Sequence, residues 1–195
     1  MIIIALRNFI CLIGLIIVMP FLIICCCLIF IEDGLPFFFK QERVGWNQRV
    51  FTIFKLRTLK HSAPQVGTHE LDESYKLKLG KFIRVTKLDE FPQLFNVIKG
   101  DLNLVGPRPG LEKQLELQKN RVIQGIFDIK PGITGLSQIL GYDMSIPNKL
   151  AKVDKLYIQN QSLLLDLIIL AGTFVKFPGD YLASKFDIPN LRQTL

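Results

Sequence analysis

Residues Phe9–Ile31 read FICLIGLIIVMPFLIICCCLIFI, 23 positions without a charge. As a straight helix at 1.5 Å per residue the run would reach roughly 35 Å, against a bilayer core of about 30 Å. A secretory signal is a poor match: the run is long, and Glu32-Asp33-Gly34-Leu35-Pro36 lacks a small-x-small cleavage pattern. Pro20 lies near the middle, where it removes one backbone hydrogen bond and crowds the preceding turn, so a bend is expected. The residues allow either a kinked span or a re-entrant helix that enters and leaves on one face, because spanning helices also tolerate proline.

Working outward, all four cysteines (Cys11, Cys25, Cys26, Cys27) fall inside this run. The cysteine-free remainder fits a reducing compartment and not a disulfide framework. The chain of 195 residues carries +7 overall, and beyond Leu35 it holds 23 Lys+Arg against 15 Asp+Glu. Lys40, Arg43, Arg49 and Lys55 follow the apolar run closely, which places them on the cytoplasmic side. A basic surface beside a membrane suits anionic headgroups or phosphorylated substrates. The basic residues are dispersed and not interleaved with aromatics, so no nucleic-acid partner is expected.

Pro36 to Phe54 reads as an extended unit with a turn at Gly45-Trp46-Asn47, and Val50–Phe54 has strand composition. Leu59–Ser74 reads as a mobile polar loop, whose His61 and His69 are too few to make a metal site. Phe91, Leu94, Phe95 and Ile98 repeat at helical spacing, predicting a helix over 88–98. Leu102–Val105 is extended, Leu111–Ile123 a charged surface helix, 130–135 a turn-rich loop and Asn148–Gln159 a helix. Ser162–Phe174 is apolar but interrupted by Asp166, which predicts an interfacial or core helix. The expected division is a membrane segment over 1–35 and a single domain over 36–195.

The densest chemistry lies in Thr86-Lys87-Leu88-Asp89-Glu90-Phe91-Pro92. Thr86 and Asp89 have capping-box spacing, and acidic side chains in a first helical turn favour the dipole. Arg84, Lys87, Lys99 and Arg108 surround the pair in sequence. Adjacent carboxylates that take Mg²⁺, with guanidinium groups beside them, are what phosphoryl chemistry requires, and an Asp can itself be the nucleophile. Arg108 sits between two prolines that stiffen its loop, which favours bidentate grip of a phosphate. Lys55 and Arg57 fall on one face of an extended chain. Walker, G-x-G-x-x-G, G-x-S-x-G and C-x-x-C patterns do not occur, which removes the corresponding enzyme classes.

These residues resemble the bacterial sugar transferase family, the monotopic polyprenyl-phosphate phosphoglycosyl transferases in their small, catalytic-domain-only form. The resemblance is carried, in order, by 54–59 (Phe-Lys-Leu-Arg-Thr-Leu), 79–84 (Leu-Gly-Lys-Phe-Ile-Arg), 88–101 (Leu-Asp-Glu-Phe-Pro-Gln through Gly-Asp), 104–109 (Leu-Val-Gly-Pro-Arg-Pro) and 130–135 (Lys-Pro-Gly-Ile-Thr-Gly).

The resemblance implies an α+β monotopic membrane protein. Its N-terminal re-entrant helix would break at Pro20, with interfacial amphipathic helices and a small catalytic domain on the cytoplasmic face of the bacterial inner membrane. It implies transfer of a phospho-sugar from a UDP-sugar to undecaprenyl phosphate with release of UMP, the first membrane step of surface glycan assembly. Asp89 matches the nucleophile that forms a covalent phospho-sugar, and Glu90 matches the Mg²⁺ ligand. Lys55, Arg57, Arg84 and Arg108 are the expected phosphate-binding cations. Re-entry would keep Arg7 and the basic domain on the side where UDP-sugars are.

The chain departs from the family pattern at three places. Met19 precedes Pro20 where Ser or Thr is usual, and Lys87 replaces a common serine. Leu140-Gly141-Tyr142-Asp143-Met144-Ser145 stands where many members have Asn-Gly-Arg. That last stretch resembles a subgroup associated with 2-acetamido-6-deoxy sugars. The alternative from another class is a non-catalytic membrane scaffold for glycan assembly, and Mg²⁺-dependent turnover of UDP-sugar separates the two. The sugar, the pathway and the oligomeric state are not legible in the residues.

Overall fold

A computed structural model describes residues 2–64 and 72–191. The chain packs as two compact units, one of residues 1–41 with 53–98 and one of 42–52 with 99–195. Helices and short strands are mixed in both, so the mixed helix-and-sheet expectation holds.

The first unit opens with helix α1 (Ile2–Asp33), 32 residues that stay helical through Pro20. Its half-buried and buried positions are Arg7, Asn8, Cys11, Gly14, Leu15, Val18, Leu22, Cys25, Cys26, Ile29, Glu32 and Asp33. They recur every three or four residues, which is one continuous helical face. That face is fastened along its length. Arg7 donates to the Val97 carbonyl at 3.2 Å, and Leu22, Cys25 and Ile29 join Leu56, Leu77 and Ile83 in a core. The opposite face leaves Phe9, Ile13, Ile16, Ile17, Phe21 and Ile24 exposed, far more apolar surface than a soluble helix carries.

Strands β1 (Phe38–Val44) and β2 (Val50–Leu56) pair with each other around a short 3₁₀ turn at Trp46–Gln48, as the extended-unit reading expects. Beyond β2 the expected loop is pinned at its described arms. Leu59 and Lys76 form an antiparallel bridge, and Lys60 N donates to the Tyr75 carbonyl at 2.8 Å. His69 and the centre of that loop lie outside the described residues.

Helix α2 (Gly80–Val85) follows, and it went unread in the sequence. Gly80 is needed there because a Cβ would meet the Thr58 carbonyl oxygen at 2.5 Å. The single helix expected over 88–98 is two pieces, a 3₁₀ turn at Leu88–Glu90 and helix α3 (Gln93–Lys99). Pro92 is the physical reason: it has no N–H to return to the Leu88 carbonyl, which accepts from Phe91 N instead at 3.4 Å. The capping box is also absent. Thr86 turns its hydroxyl back onto the Phe82 carbonyl at 2.8 Å, and Lys87 precedes the 3₁₀ turn in a left-handed conformation, φ 60°.

In the second unit, the 130–135 loop contains a strand, β4 (Gly132–Thr134), parallel to β3 (Asn103–Val105) with Asn103 opposite Gly132. A Cβ on Gly132 would meet the Gly106 nitrogen at 2.1 Å, so only glycine lets the two loops run this close. Around this pair stand α4 (Leu115–Gln124), α5 (Leu136–Ile139), α6 (Pro147–Gln159), α7 (Leu163–Phe174) and α8 (Phe177–Phe186). The charged helix read from Leu111 starts one turn later, and its Leu117 and Arg121 are buried. Arg121 donates to Asp154 at 2.7 Å, and Ser137 donates to the same carboxylate at 2.8 Å. Helix α7 begins where Ser162 Oγ accepts from Leu165 N at 3.2 Å, and it leaves Leu163, Leu164 and Leu167 exposed.

Candidate active site

The acidic pair stands on the 3₁₀ turn, and three elements of the first unit bring cations toward it. Strand β2 carries Lys55 next to its last residue, and the lysine Nζ donates to Glu90 Oε1 at 2.8 Å. Helix α2 carries Arg84 in its last turn, and Lys87 begins the 3₁₀ turn itself. Asp89 is half-buried, and no described residue donates a hydrogen bond to it. Burial pushes its carboxyl above the usual range, and Glu90 pushes the same way, while Lys55, Arg84 and Lys87 pull it down. A carboxylate made more basic in this way is a better nucleophile once ionised, and the three cations favour an anion arriving beside it.

Arg84 is aimed by a hydrogen bond from its Nε to Thr58 Oγ1 at 2.8 Å. Arg57 has other company. Its guanidinium donates to the Asp33 carboxylate, to the Asp33 carbonyl at 3.1 Å and to the Gly34 carbonyl at 2.6 Å. Lys55 and Arg57, two residues apart, therefore meet different partners, Glu90 for one and the end of α1 for the other. Arg108 is half-buried on the 106–110 loop of the second unit, where Gly106 N donates to the Thr134 carbonyl at 2.9 Å. Tyr142 belongs to the second unit's hydrophobic core at 6% exposure.

Among the described residues, no group of three or more His, Cys, Asp or Glu converges on one point. The donor chemistry at 89–90 still fits Mg²⁺, which accepts one or two carboxylates and completes its shell with water and substrate phosphates. Glu90 is the residue that could hold it, with Asp89 adjacent. Thr58 and Asp33 were missed in the sequence. Nothing about a threonine beside a Lys-x-Arg triplet signals that it holds an arginine 26 positions on, and an acidic residue closing an apolar helix looks like ordinary solvation.

With that geometry in view, the bacterial sugar transferase family model matches residues 3–179. The uncharacterized sugar transferase EpsL of Bacillus subtilis (strain 168) is 42% identical over 75% of this chain and 72% of its own length. The undecaprenyl-phosphate galactose phosphotransferase of Salmonella typhimurium is 35% identical over 73% of this chain and 33% of its own length. The UDP-N-acetylgalactosamine-undecaprenyl-phosphate N-acetylgalactosaminephosphotransferase of Aeromonas hydrophila is 34% identical over 79% of this chain and 38% of its own length. The match thus spans between 33% and 38% of the length of those last two relatives.

Proposed function

The chain belongs to the bacterial sugar transferase family, and on that footing we propose that it moves a phospho-sugar from a UDP-sugar to undecaprenyl phosphate at the cytoplasmic face of a bacterial inner membrane. The observation that carries the reading is Asp89: a half-buried carboxylate of raised basicity, flanked by Glu90 and faced by Lys55, Arg84 and Lys87.

The chemistry proceeds by two displacements. An ionised Asp89 oxygen attacks the sugar-linked phosphorus of the UDP-sugar. The new O–P bond forms as the bridging P–O bond breaks, and the electron pair leaves with UMP. The sugar phosphate is then joined to Asp89 as an acyl phosphate, a mixed anhydride. A phosphate oxygen of undecaprenyl phosphate attacks the same phosphorus, the aspartyl O–P bond breaks, and Asp89 is regenerated as undecaprenyl diphosphate sugar departs. Lys55 and Arg84 hold the phosphate oxygens as charge shifts. Mg²⁺, when bound at Glu90, neutralises charge on the diphosphate.

The monotopic arrangement is supported by how α1 is held. A spanning helix would carry its middle turns away from the polar catalytic unit. Here the same unit touches it from Arg7, through Gly14 beside Leu94, to Asp33. The apolar outer face of α1 would rest in one leaflet, with both ends at the cytoplasmic interface. Exposed Phe82, Val85 and Phe95 in this unit, and exposed Leu163, Leu164 and Leu167 in the other, fit an interfacial setting. A water-soluble donor and a lipid acceptor could then meet without either crossing.

The donor class proposed is a UDP-linked 2-acetamido-6-deoxy sugar, with UDP-galactose and UDP-N-acetylgalactosamine as the comparison set named by relatives. The test is UMP release by detergent-purified protein with Mg²⁺, across that panel, before any acceptor is added. Release stoichiometric with enzyme, then turnover on adding undecaprenyl phosphate, is the expected result. No release with any donor unless acceptor is present would overturn the two-step reading.

A further inference from the structure

Helix α1 ends on two acidic residues, and each fastens a different loop of the first unit. Glu32 Oε1 accepts from Lys78 N at 2.8 Å, just ahead of α2. Asp33 Oδ2 accepts from His61 N at 2.7 Å and from the Arg57 guanidinium. The same guanidinium caps the last turn by donating to the Asp33 and Gly34 carbonyls, which is where a cation satisfies orphan carbonyls and the helix dipole together. Arg57 N is also tied, donating to the Phe37 carbonyl at 2.8 Å. The segment 57–61 is thus held to the end of α1 by its side chain and its backbone.

Thr58 comes next in the chain and is buried. Its hydroxyl accepts from Arg84 Nε at 2.8 Å, and its carbonyl accepts from Leu77 N at 3.2 Å. The start of α2 rests on that carbonyl at Gly80, where a side chain would collide. One short path therefore runs from the membrane helix through Asp33, Arg57 and Thr58 to Arg84, which faces Asp89.

We propose that Asp33, Arg57 and Thr58 are positioning residues: the end of α1 fixes the 57–58 segment, and the Thr58 hydroxyl aims the Arg84 guanidinium at the phosphate beside Asp89. In this account Arg57 acts on the helix end and not on substrate. The inference rests on the transferase reading for its kinetic consequence. An arginine held by one hydroxyl at Nε keeps its other nitrogens for a phosphate, and it loses less entropy on binding than a mobile one. A displacement of α1 would be felt at Arg84 through two hydrogen-bonded steps.

The test uses full-length protein carrying Thr58→Val, Thr58→Ser, Asp33→Asn or Arg84→Gln, with UMP release before acceptor as readout. Thr58→Val keeps the shape and removes the hydroxyl, and it should slow release about tenfold or more. Thr58→Ser should stay within about twofold of the parent, since it restores the acceptor. In the Arg84→Gln background, Thr58→Val should cost nothing further, because the group it aims is gone. Parent-like rates in Thr58→Val, or multiplying effects in the double variant, would overturn the proposal.

If Thr58→Val fails to fold, Asp33→Asn carries the test: a several-fold slower release is expected, and parent-like kinetics overturn the relay. If the parent itself releases no UMP, the transferase reading is what has failed. Calorimetric binding of Mg²⁺-pyrophosphate then reads the relay directly. Weaker binding in Thr58→Val, recovered in Thr58→Ser, supports it, and equal binding in all three refutes it.

Discussion

Lys55 Nζ sits 2.8 Å from Glu90 Oε1, and the two side chains are only 15% and 13% exposed. The pair ties the end of β2 to the turn that carries Asp89, so one lysine both holds the acidic neighbour and lowers the basicity of Asp89. Replacing it with Met keeps the stem and removes the charge. Asp89 then loses the largest influence holding its carboxyl down, and the acid limb of the pH–rate profile should move to higher pH. An unmoved limb in Lys55→Met would show that the lysine does not act on Asp89.

In the proposed reaction Asp89 sets the pH dependence: its ionised form would attack, and burial raises its pKa. Turnover should therefore rise with pH, with a midpoint above the ordinary carboxylate range. Stability runs the opposite way. A carboxyl whose folded pKa is raised stabilises the fold while protonated, and that contribution is lost as pH rises through the folded value. Asp89→Asn should abolish turnover yet melt at a higher temperature than the parent at neutral pH. At acid pH, where both are uncharged, the gap should close. Thermal melts at two pH values check the sign.

Glu90→Gln removes the charge that Lys55 meets and the proposed Mg²⁺ ligand in one change. Turnover should fall by about a hundredfold or more, with the remaining activity requiring higher Mg²⁺. A titration of rate against Mg²⁺ decides it. An unchanged half-saturating concentration would move the ion away from Glu90.

How much of this was legible in the residues depends on distance along the chain. Adjacent Asp89 and Glu90 could be singled out because both lie in one short, charged stretch. Val50–Phe54 announced a strand through its β-branched and aromatic residues, and β2 covers it. Pro92 was visible too, but its power to split a predicted helix needed the competing 3₁₀ bonds to be seen. The Arg57–Asp33 and Arg84–Thr58 bonds join residues 24 and 26 apart, and no periodicity encodes such pairings. Tyr142 is buried in the second unit's core, which reflects tertiary packing that one sequence does not display.

The second unit is held by a fully buried ion pair. Arg121 and Asp154 are each 2% exposed at the side chain, and Ser137 completes the carboxylate's partners. Asp154→Ala strands a guanidinium in the interior and should cost about 3–5 kcal/mol. Denaturant unfolding measures it, and a loss below about 1 kcal/mol would mean that water reaches Arg121.

The position of α1 in the membrane has its own test. In a variant whose four native cysteines are replaced by Ala, a cysteine at Ala5 should react with a membrane-impermeant maleimide in inside-out vesicles and not in intact spheroplasts. The opposite pattern would make α1 a spanning helix.

The most direct measurement is the intact mass of the protein after mixing with UDP-sugar and Mg²⁺ and no acceptor. The account predicts a gain of one sugar phosphate, mapped by peptide analysis to Asp89 and discharged by undecaprenyl phosphate. A protein that turns over with acceptor yet never gains that mass, or gains it on another residue, contradicts it.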